Sequence, residues 1–278
     1  MPTQTAAPPA DLAPIDLTPI PAFSDNYLWL LSRNQAAVVV DPGQAAPVLE
    51  HLQAYQLELD AILITHHHPD HVGGVKQLKA AYPAATVYGP LGESLPLCDV
   101  ALKEDDEVVR DSLGLRFSVL DIPGHTAGHI AYFGDLHDEH AQQAQPVVFC
   151  GDTLFAAGCG RVFEGTPGQM LNSLNKLKAL PLETLVCCAH EYTLANLRWA
   201  LQVEPDNAAL HTRMQEAQAL RAQDLPTLPS TIGLELETNP FLRTLQDSVA
   251  QAASAHAGQE LDSSVAVFAA LREWKNQA

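Results

Sequence analysis

Five short apolar runs, at 36–40, 61–64, 116–120, 146–150 and 185–189, each end in a loop with aspartate or histidine in its first two positions. The loops begin Asp41-Pro42-Gly43, Thr65-His66-His67-His68-Pro69-Asp70-His71, Asp121-Ile122-Pro123-Gly124-His125-Thr126, Gly151-Asp152-Thr153 and His190-Glu191-Tyr192. Continuous apolar runs bounded by turn residues predict buried strands. Residues 46–55 and 75–82 carry helical spacing, so strands and helices alternate up to about residue 192. Beyond that point the texture changes. Residues 193–222, rich in Ala, Leu and Gln, and the stretches 241–253 and 263–275 read as helices. Residues 224–240, with Pro226, Pro229, Gly233 and Pro240, read as a linker. The pattern predicts an α/β sandwich over 18–192 and a smaller helical domain over 193–278. Residues 1–17, rich in Pro and Ala, are expected to be a flexible tail, and the polar stretch 134–145 an exposed loop.

Composition narrows the partners. A chain of 278 residues with 47% hydrophobic and 17% charged positions has room for a sizeable core. Its 15 basic and 33 acidic residues leave a net charge of −18, which argues against nucleic acid or an anionic membrane as partner. No apolar stretch is long enough to span a bilayer. The N-terminal segment lacks the basic start and apolar core of a signal peptide and the Arg of a mitochondrial presequence. Five cysteines, an odd number with no spaced C-x-x-C, suggest reduced thiols. The expectation is a cytoplasmic monomer.

The polar strand ends carry the candidate chemistry. His66 and His68, two apart, project the same way if the segment stays extended. Asp70 and His71 follow where the chain turns, with Gly73-Gly74 helping the turn. If the strands share one sheet edge, His66, His68, Asp70, His71, His125, Asp152 and His190 converge there. Imidazole and carboxylate suit zinc-like divalent ions. Seven donors exceed the needs of one tetrahedral ion and suit two ions sharing a carboxylate. His67 would point the other way, and His129 would support the site by hydrogen bonding. His137 and His140 read as surface residues; His51, His211 and His256 have no partners in sequence, and Cys159 reads as structural.

The motifs T-H-x-H-x-D-H (65–71), P-G-H-T (123–126), G-D-T-L-F (151–155) and A-H-E-Y-T (189–193) together resemble the metallo-β-lactamase superfamily. Within it, P-I-P-A-F (19–23), Asp25-Asn26-Tyr27, A-G-C-G-R-V-F-E-G-T (157–166), T-N-P-F-L-R (238–243) and L-R-E-W-K (271–275) resemble the glyoxalase II, or hydroxyacylglutathione hydrolase, family. The likeness runs from about residue 19 to about residue 275. It implies a metallo-β-lactamase-like αββα sandwich with a smaller C-terminal helical domain. It also implies that His66, His68 and His125 hold one ion, that Asp70, His71 and His190 hold a second, and that Asp152 bridges them. Zn is the foremost candidate, with Fe or Mn also suited to such donors. The implied activity is hydrolysis of S-acyl glutathione thioesters, chiefly S-lactoylglutathione to D-lactate and glutathione, by a hydroxide held between the ions, as in methylglyoxal detoxification. Asp70 would also orient that hydroxide as a catalytic residue. The family's substrate positions fall on Arg161, Phe163, Tyr192, Arg272 and Lys275, with Phe163 where many members carry Tyr. Arg272 and Lys275, three apart on a helix, would share one face. Alternatives are a glutathione persulfide dioxygenase with a single iron, or another hydrolase of the superfamily. The full second-ion set and the helical C-terminus favour the thioester hydrolase.

Overall fold

The computed structural model of the chain describes residues 13–136 and 145–278. The first half builds β1 (Asp16–Ala22), β2 (Asn26–Arg33), β3 (Ala36–Val40), α1 (Ala45–Tyr55), β4 (Glu58–Leu63), α2 (Pro69–Val72), α3 (Val75–Ala81), β5 (Thr86–Pro90) and β6 (Val100–Leu102). These six strands form one sheet in chain order, antiparallel from β1 to β3 and parallel from β3 to β6. Pro19 and Pro21 sit in β1, at the sheet edge, where a missing N–H is tolerated.

Then come β7 (Glu107–Arg110), β8 (Leu115–Asp121), β9 (Ile130–Leu136), β10 (Gln145–Gly151), the small hairpin of β11 (Leu154–Phe155) and β12 (Gly158–Cys159), α4 (Pro167–Lys178) and β13 (Leu185–Cys188). The C-terminal region adds α5 (Thr193–Val203), α6 (Ala208–Arg221), β14 (Ser230–Thr231), α7 (Ile232–Thr238), α8 (Asp247–Ala257) and α9 (Ser264–Gln277). The second sheet runs β14-β13-β10-β9-β8-β7, with β10 and β13 parallel.

Burial explains the apolar runs. In β3, Val38 and Val40 face the core between the sheets, whereas Ala37 and Val39 face the layer under α1 and α3. β4 repeats this with Ala61 and Leu63 on one side and Ile62 on the other. Both faces are therefore dry, and each fully buried Val, Leu or Ile contributes about 1.5–3 kcal/mol. α4 covers the second sheet with Met170, Leu171, Leu174 and Leu177, started by a capping box of Thr166 and Gln169.

Several expectations need correction. β8 is half-buried rather than a buried run: Arg116 and Ser118 are exposed, and Arg116 pairs with Glu107 at 2.6 Å. The expected helix over 193–222 is two helices, because Pro205 stops the first and Asn207 caps the second through Ala209 N and Leu210 N. The expected linker 224–240 contains α7, capped by Thr231. In 241–253 the helix proper starts at Asp247, after one 3-10 turn at Pro240–Leu242. The tail expected to reach residue 17 gives way to β1 at Asp16, and residues 1–12 lie outside the described residues. β9 and β10 take up residues 134–136 and 145 of the expected loop; the rest, with His137 and His140, lies outside the described residues. Among the described residues no helix is long and apolar enough to cross a membrane.

Candidate metal centre and substrate cleft

Strand ends from both sheets meet at one edge of the sandwich. The segment after β4 carries His66 and His68 and then turns into α2, whose single turn presents Asp70 and His71. Gly73 and Gly74 have ordinary negative φ values, so the turn does not require their freedom. They are needed for proximity: a Cβ on Gly73 would lie 2.6 Å from Gly43 O, and one on Gly74 2.6 Å from Ala45 N. The loop after β8 bends at Gly124, whose φ of +148° is open to glycine, and lies so close to α4 that a Cβ there would sit 2.8 Å from Met170.

Two donor groups result, His66–His68–His125–Asp152 and Asp70–His71–His190, each with its ligand atoms within 4.8 Å of one another. His68 Nδ1 lies 3.1 Å from His66 Nε2 and 3.0 Å from His125 Nε2. Such spacings approach the edge, about 3.3 Å, of a tetrahedron of nitrogens about 2.0–2.1 Å from a central ion. Asp152 faces both groups, with Oδ2 3.3 Å from His125 Nε2 and Oδ1 3.4 Å from His71 Nε2 and 3.3 Å from His190 Nε2.

Outer partners turn these nitrogens inward. His71 Nδ1 is 3.0 Å from Asp41, His190 Nδ1 2.8 Å from Asp25, His125 Nδ1 2.9 Å from the Arg161 carbonyl and His66 Nδ1 3.1 Å from Thr65 Oγ1. An Nδ1–H that donates outward leaves the Nε2 lone pair pointing into the site. Two of the inward atoms, His71 Nε2 and Asp152 Oδ1, are buried 3.4 Å apart without the alignment of a hydrogen bond. A buried polar atom without a partner is costly, and a cation between these donors satisfies both. The donor set therefore fits divalent ions.

Electrostatics agrees. Burial opposes the Asp152 carboxylate, yet His71 and His190 hold its pKa well below the usual range. Burial likewise opposes charge on His190, but the close carboxylates of Asp152, Asp70 and Asp25 raise its pKa to about 10. The carboxylates thus demand positive charge at this point. His66 and His129 are pushed well below the ordinary value, by burial first and by neighbouring imidazoles next. His129 stacks on His66 at 4.5 Å, donates from Nδ1 to the Ile130 carbonyl and accepts the Asp152 N–H at Nε2, the supporting part expected of it. His67 points away from both groups, to Glu93 and Glu164.

A cleft of about 390 Å³ opens beside the centre, lined among others by His125, Asp152, Phe155, Cys159, Arg161, Phe163, Tyr192, Asn196, Arg272 and Lys275. It thus gathers all five expected substrate residues. A larger groove of about 730 Å³, at Glu204 and Arg243, contains none of the metal donors. Phe163 is 60% exposed, its ring 5.3 Å from that of His125, and Tyr192 stacks on His190 at 4.7 Å. Arg272 is not on a solvated helix face. It is 8% exposed, donates to the Cys159 carbonyl at 2.8 Å and lies over the Phe241 ring. Lys275 donates to the Ala195 carbonyl at 3.3 Å, and burial with nearby Arg272 and Arg198 lowers its pKa to about 8.

Sequence reasoning assigned no role to Asp25, Asn26, Asp41, Thr65, Glu93, Glu235 or Asn239. Asp41 closes a strand in the same manner as the metal donors, which is a local signal. Asn26, donating to Asp70 at 3.1 Å, and Asp25, 165 positions from His190, have none.

Residues 23–190 match the model of the metallo-beta-lactamase superfamily, and residues 191–278 that of the hydroxyacylglutathione hydrolase C-terminus. The BLEG-1 B3 metallo-beta-lactamase structure has a TM-score of 0.57 at 24% identity, covering 82% of this chain and 99% of its own, a likeness of fold. TTHA1623, solved in a di-iron-bound form, has a TM-score of 0.52 at 28% identity, covering 82% of this chain and 99% of its own. Fold and donor set together define a metal-dependent hydrolase of the metallo-β-lactamase type, and they indicate divalent metal ions. The hydroxyacylglutathione hydrolase of Albidiferax ferrireducens is 55% identical over 95% of this chain and 100% of its own length. The chain belongs to the hydroxyacylglutathione hydrolase family.

Proposed function

We infer that this chain hydrolyses S-acyl glutathione thioesters, chiefly S-lactoylglutathione to D-lactate and glutathione, at a centre of two divalent ions, with zinc favoured. The observation that carries the reading is that His71 Nε2 and Asp152 Oδ1 are buried without an aligned hydrogen bond where the four-donor group His66–His68–His125–Asp152 meets the three-donor group Asp70–His71–His190. His66, His68 and His125 would hold one ion, Asp70, His71 and His190 the other, and Asp152 both. Bound there, the ions would lower the pKa of water towards ~7 and polarise the thioester carbonyl. Asp70, with a side chain 37% exposed against 10% for Asp152, is the carboxylate open to a reacting water, and Asn26 holds its Oδ2. Its role is to accept a hydrogen bond from the attacking water and orient it. The water oxygen bonds to the carbonyl carbon as its proton is released, the C–S bond breaks with its electron pair going to sulfur, and the leaving glutathione thiolate takes up that proton.

Glutathione brings two carboxylates, and Arg161, Arg272 and Lys275 line the cleft to meet them, with Phe163 and Tyr192 packing along the peptide. We assign the chemistry to residues 18–192 and substrate capture largely to 193–278, supported by the position of Arg272 and Lys275 on α9. Five free cysteines support a cytoplasmic setting, and a site built from one chain is complete in a monomer. The 55% identity to a hydroxyacylglutathione hydrolase disfavours the persulfide dioxygenase alternative. The test is elemental analysis of the purified protein beside glutathione release from S-lactoylglutathione under nitrogen and in air. Two metal equivalents and equal rates are expected. Oxygen uptake with glutathione persulfide and no thioester cleavage would sink the reading.

A further inference from the structure

We propose that Glu93 is a positioning residue that locks together the two loops carrying His66, His68 and His125; this rests on the two-ion reading above. Glu93 lies between β5 and β6, far from the ligand motifs in sequence, yet its side chain is 2% exposed. Its carboxylate gathers donors from both loops. On one side it accepts the His67 backbone N–H at 3.1 Å and pairs with His67 Nδ1. On the other it accepts from Thr126 Oγ1 at 2.6 Å and from the Gly128 N–H at 2.9 Å. His67 is flanked by His66 and His68, and Thr126 follows His125, so the bonds to His67 and Thr126 act one residue from a metal donor and the bond to Gly128 three residues from one. The backbones press together at the same place: a Cβ on Gly128 would lie 2.6 Å from Gly92 C.

A buried carboxylate with both oxygens engaged fixes its donors in distance and direction, because charge-assisted bonds are short and roughly twice as strong as neutral ones. Among the described residues no bond of Glu93 goes to Asp70, His71 or His190, whose partners include Asp25, Asn26 and Asp41. Glu93 therefore acts directly on the loops beside His66, His68 and His125, and reaches Asp70 and His71 only through the chain that continues from His68. Glutamine in its place keeps the shape but offers one acceptor oxygen and one NH2, so it cannot accept from both loops.

Full-length protein loaded with two zinc equivalents is titrated with a chromophoric chelator. In Glu93→Gln and in Thr126→Val, one equivalent should be lost about 10–100-fold more readily than in the parent, as for other partners of metal ligands, and the second unchanged. Thr126→Ser, which restores the hydroxyl, should recover the parental curve. Loosening of both equivalents together, unchanged release, or Thr126→Ser behaving like Thr126→Val each overturns the proposal. If Glu93→Gln does not fold, the two Thr126 variants decide. If the parent itself holds one equivalent, the two-ion reading fails, and the same shift and rescue measured on that equivalent decide whether Glu93 clamps it.

Discussion

Asp152 is the residue on which the two donor groups depend, because one carboxylate faces His125 through Oδ2 and both His71 and His190 through Oδ1. Asp152→Asn keeps the shape, removes the charge and turns one oxygen into an NH2 that cannot ligate. We expect metal content and thioesterase activity to fall together, the former towards one equivalent or fewer; full occupancy in the variant would show that the carboxylate does not bridge. The legibility of this site also divides residue by residue. His66, His68, Asp70, His71, His125, Asp152 and His190 could be read because each lies in the segment that follows a strand, the first four all after β4. Of their outer partners, Asp41 carried such a signal and the others did not. Asp25 meets His190 from 165 positions away, and Glu93 meets Thr126 only because two loops fold against each other.

At the scale of elements, the hairpin β11–β12 and the loop after it bring Cys159, Gly160, Arg161 and Phe163 to the cleft, and the helical region holds the hairpin in place. Glu235 on α7, fully buried, accepts from Ala157 N at 2.8 Å and from Asn239 Nδ2 at 2.9 Å, and it pairs with Arg213 of α6 at 2.5 Å. Asn239 also donates to the Phe155 and Gly158 carbonyls at 3.2 and 2.9 Å. The T-N-P-F-L-R segment thus joins the helices to the cleft wall. Arg213→Met should leave a buried charge unpaired and cost about 3–5 kcal/mol. At about 2–4 °C per kcal/mol for a chain near this size, Tm should fall by roughly 6–20 °C. Adding Glu235→Gln should restore part of the loss; a single variant that melts with the parent would show the pair to be dispensable. This network was hidden in sequence because Pro226, Pro229 and Gly233 make 224–240 look like a linker, although Thr231 caps a seven-residue helix inside it. The parallel strands β3, β4, β10 and β13, by contrast, were plain, since burial on both faces imposes unbroken apolar runs, whereas the partly exposed β5 and β6 were not read.

At the scale of the molecule, a net charge of −18 must receive a substrate that is itself anionic. The long-range field repels it, but salt screens that field beyond a Debye length of about 8 Å at 0.15 M, whereas contacts inside the cleft are screened less. On the proposed function, capture would fall to the cations that line the cleft, Arg161, Arg272 and Lys275. Lys275 adds a pH dependence. Burial, Arg272 and Arg198 lower its pKa to about 8, so the ammonium form that attracts a carboxylate is full below pH 8 and is lost as pH rises through it. A bound carboxylate favours the charged form, so binding and protonation support each other. KM for S-lactoylglutathione should be flat from pH 6 to 7 and rise above pH 8, with kcat affected less, because contacts to the remote peptide are largely the same in ground and transition states. Lys275→Gln should raise KM at pH 7 and remove the rise above pH 8. The double variant Arg272→Ala/Lys275→Ala should raise KM further, by about 1.5–3 kcal/mol for each shielded contact and less where solvent reaches it. Above about 0.15 M, where the long-range repulsion is already screened, parental KM should climb with salt as the cleft contacts weaken, and less steeply in the double variant. A parental KM that is level across pH 8 and insensitive to salt would assign glutathione capture to groups other than this pair.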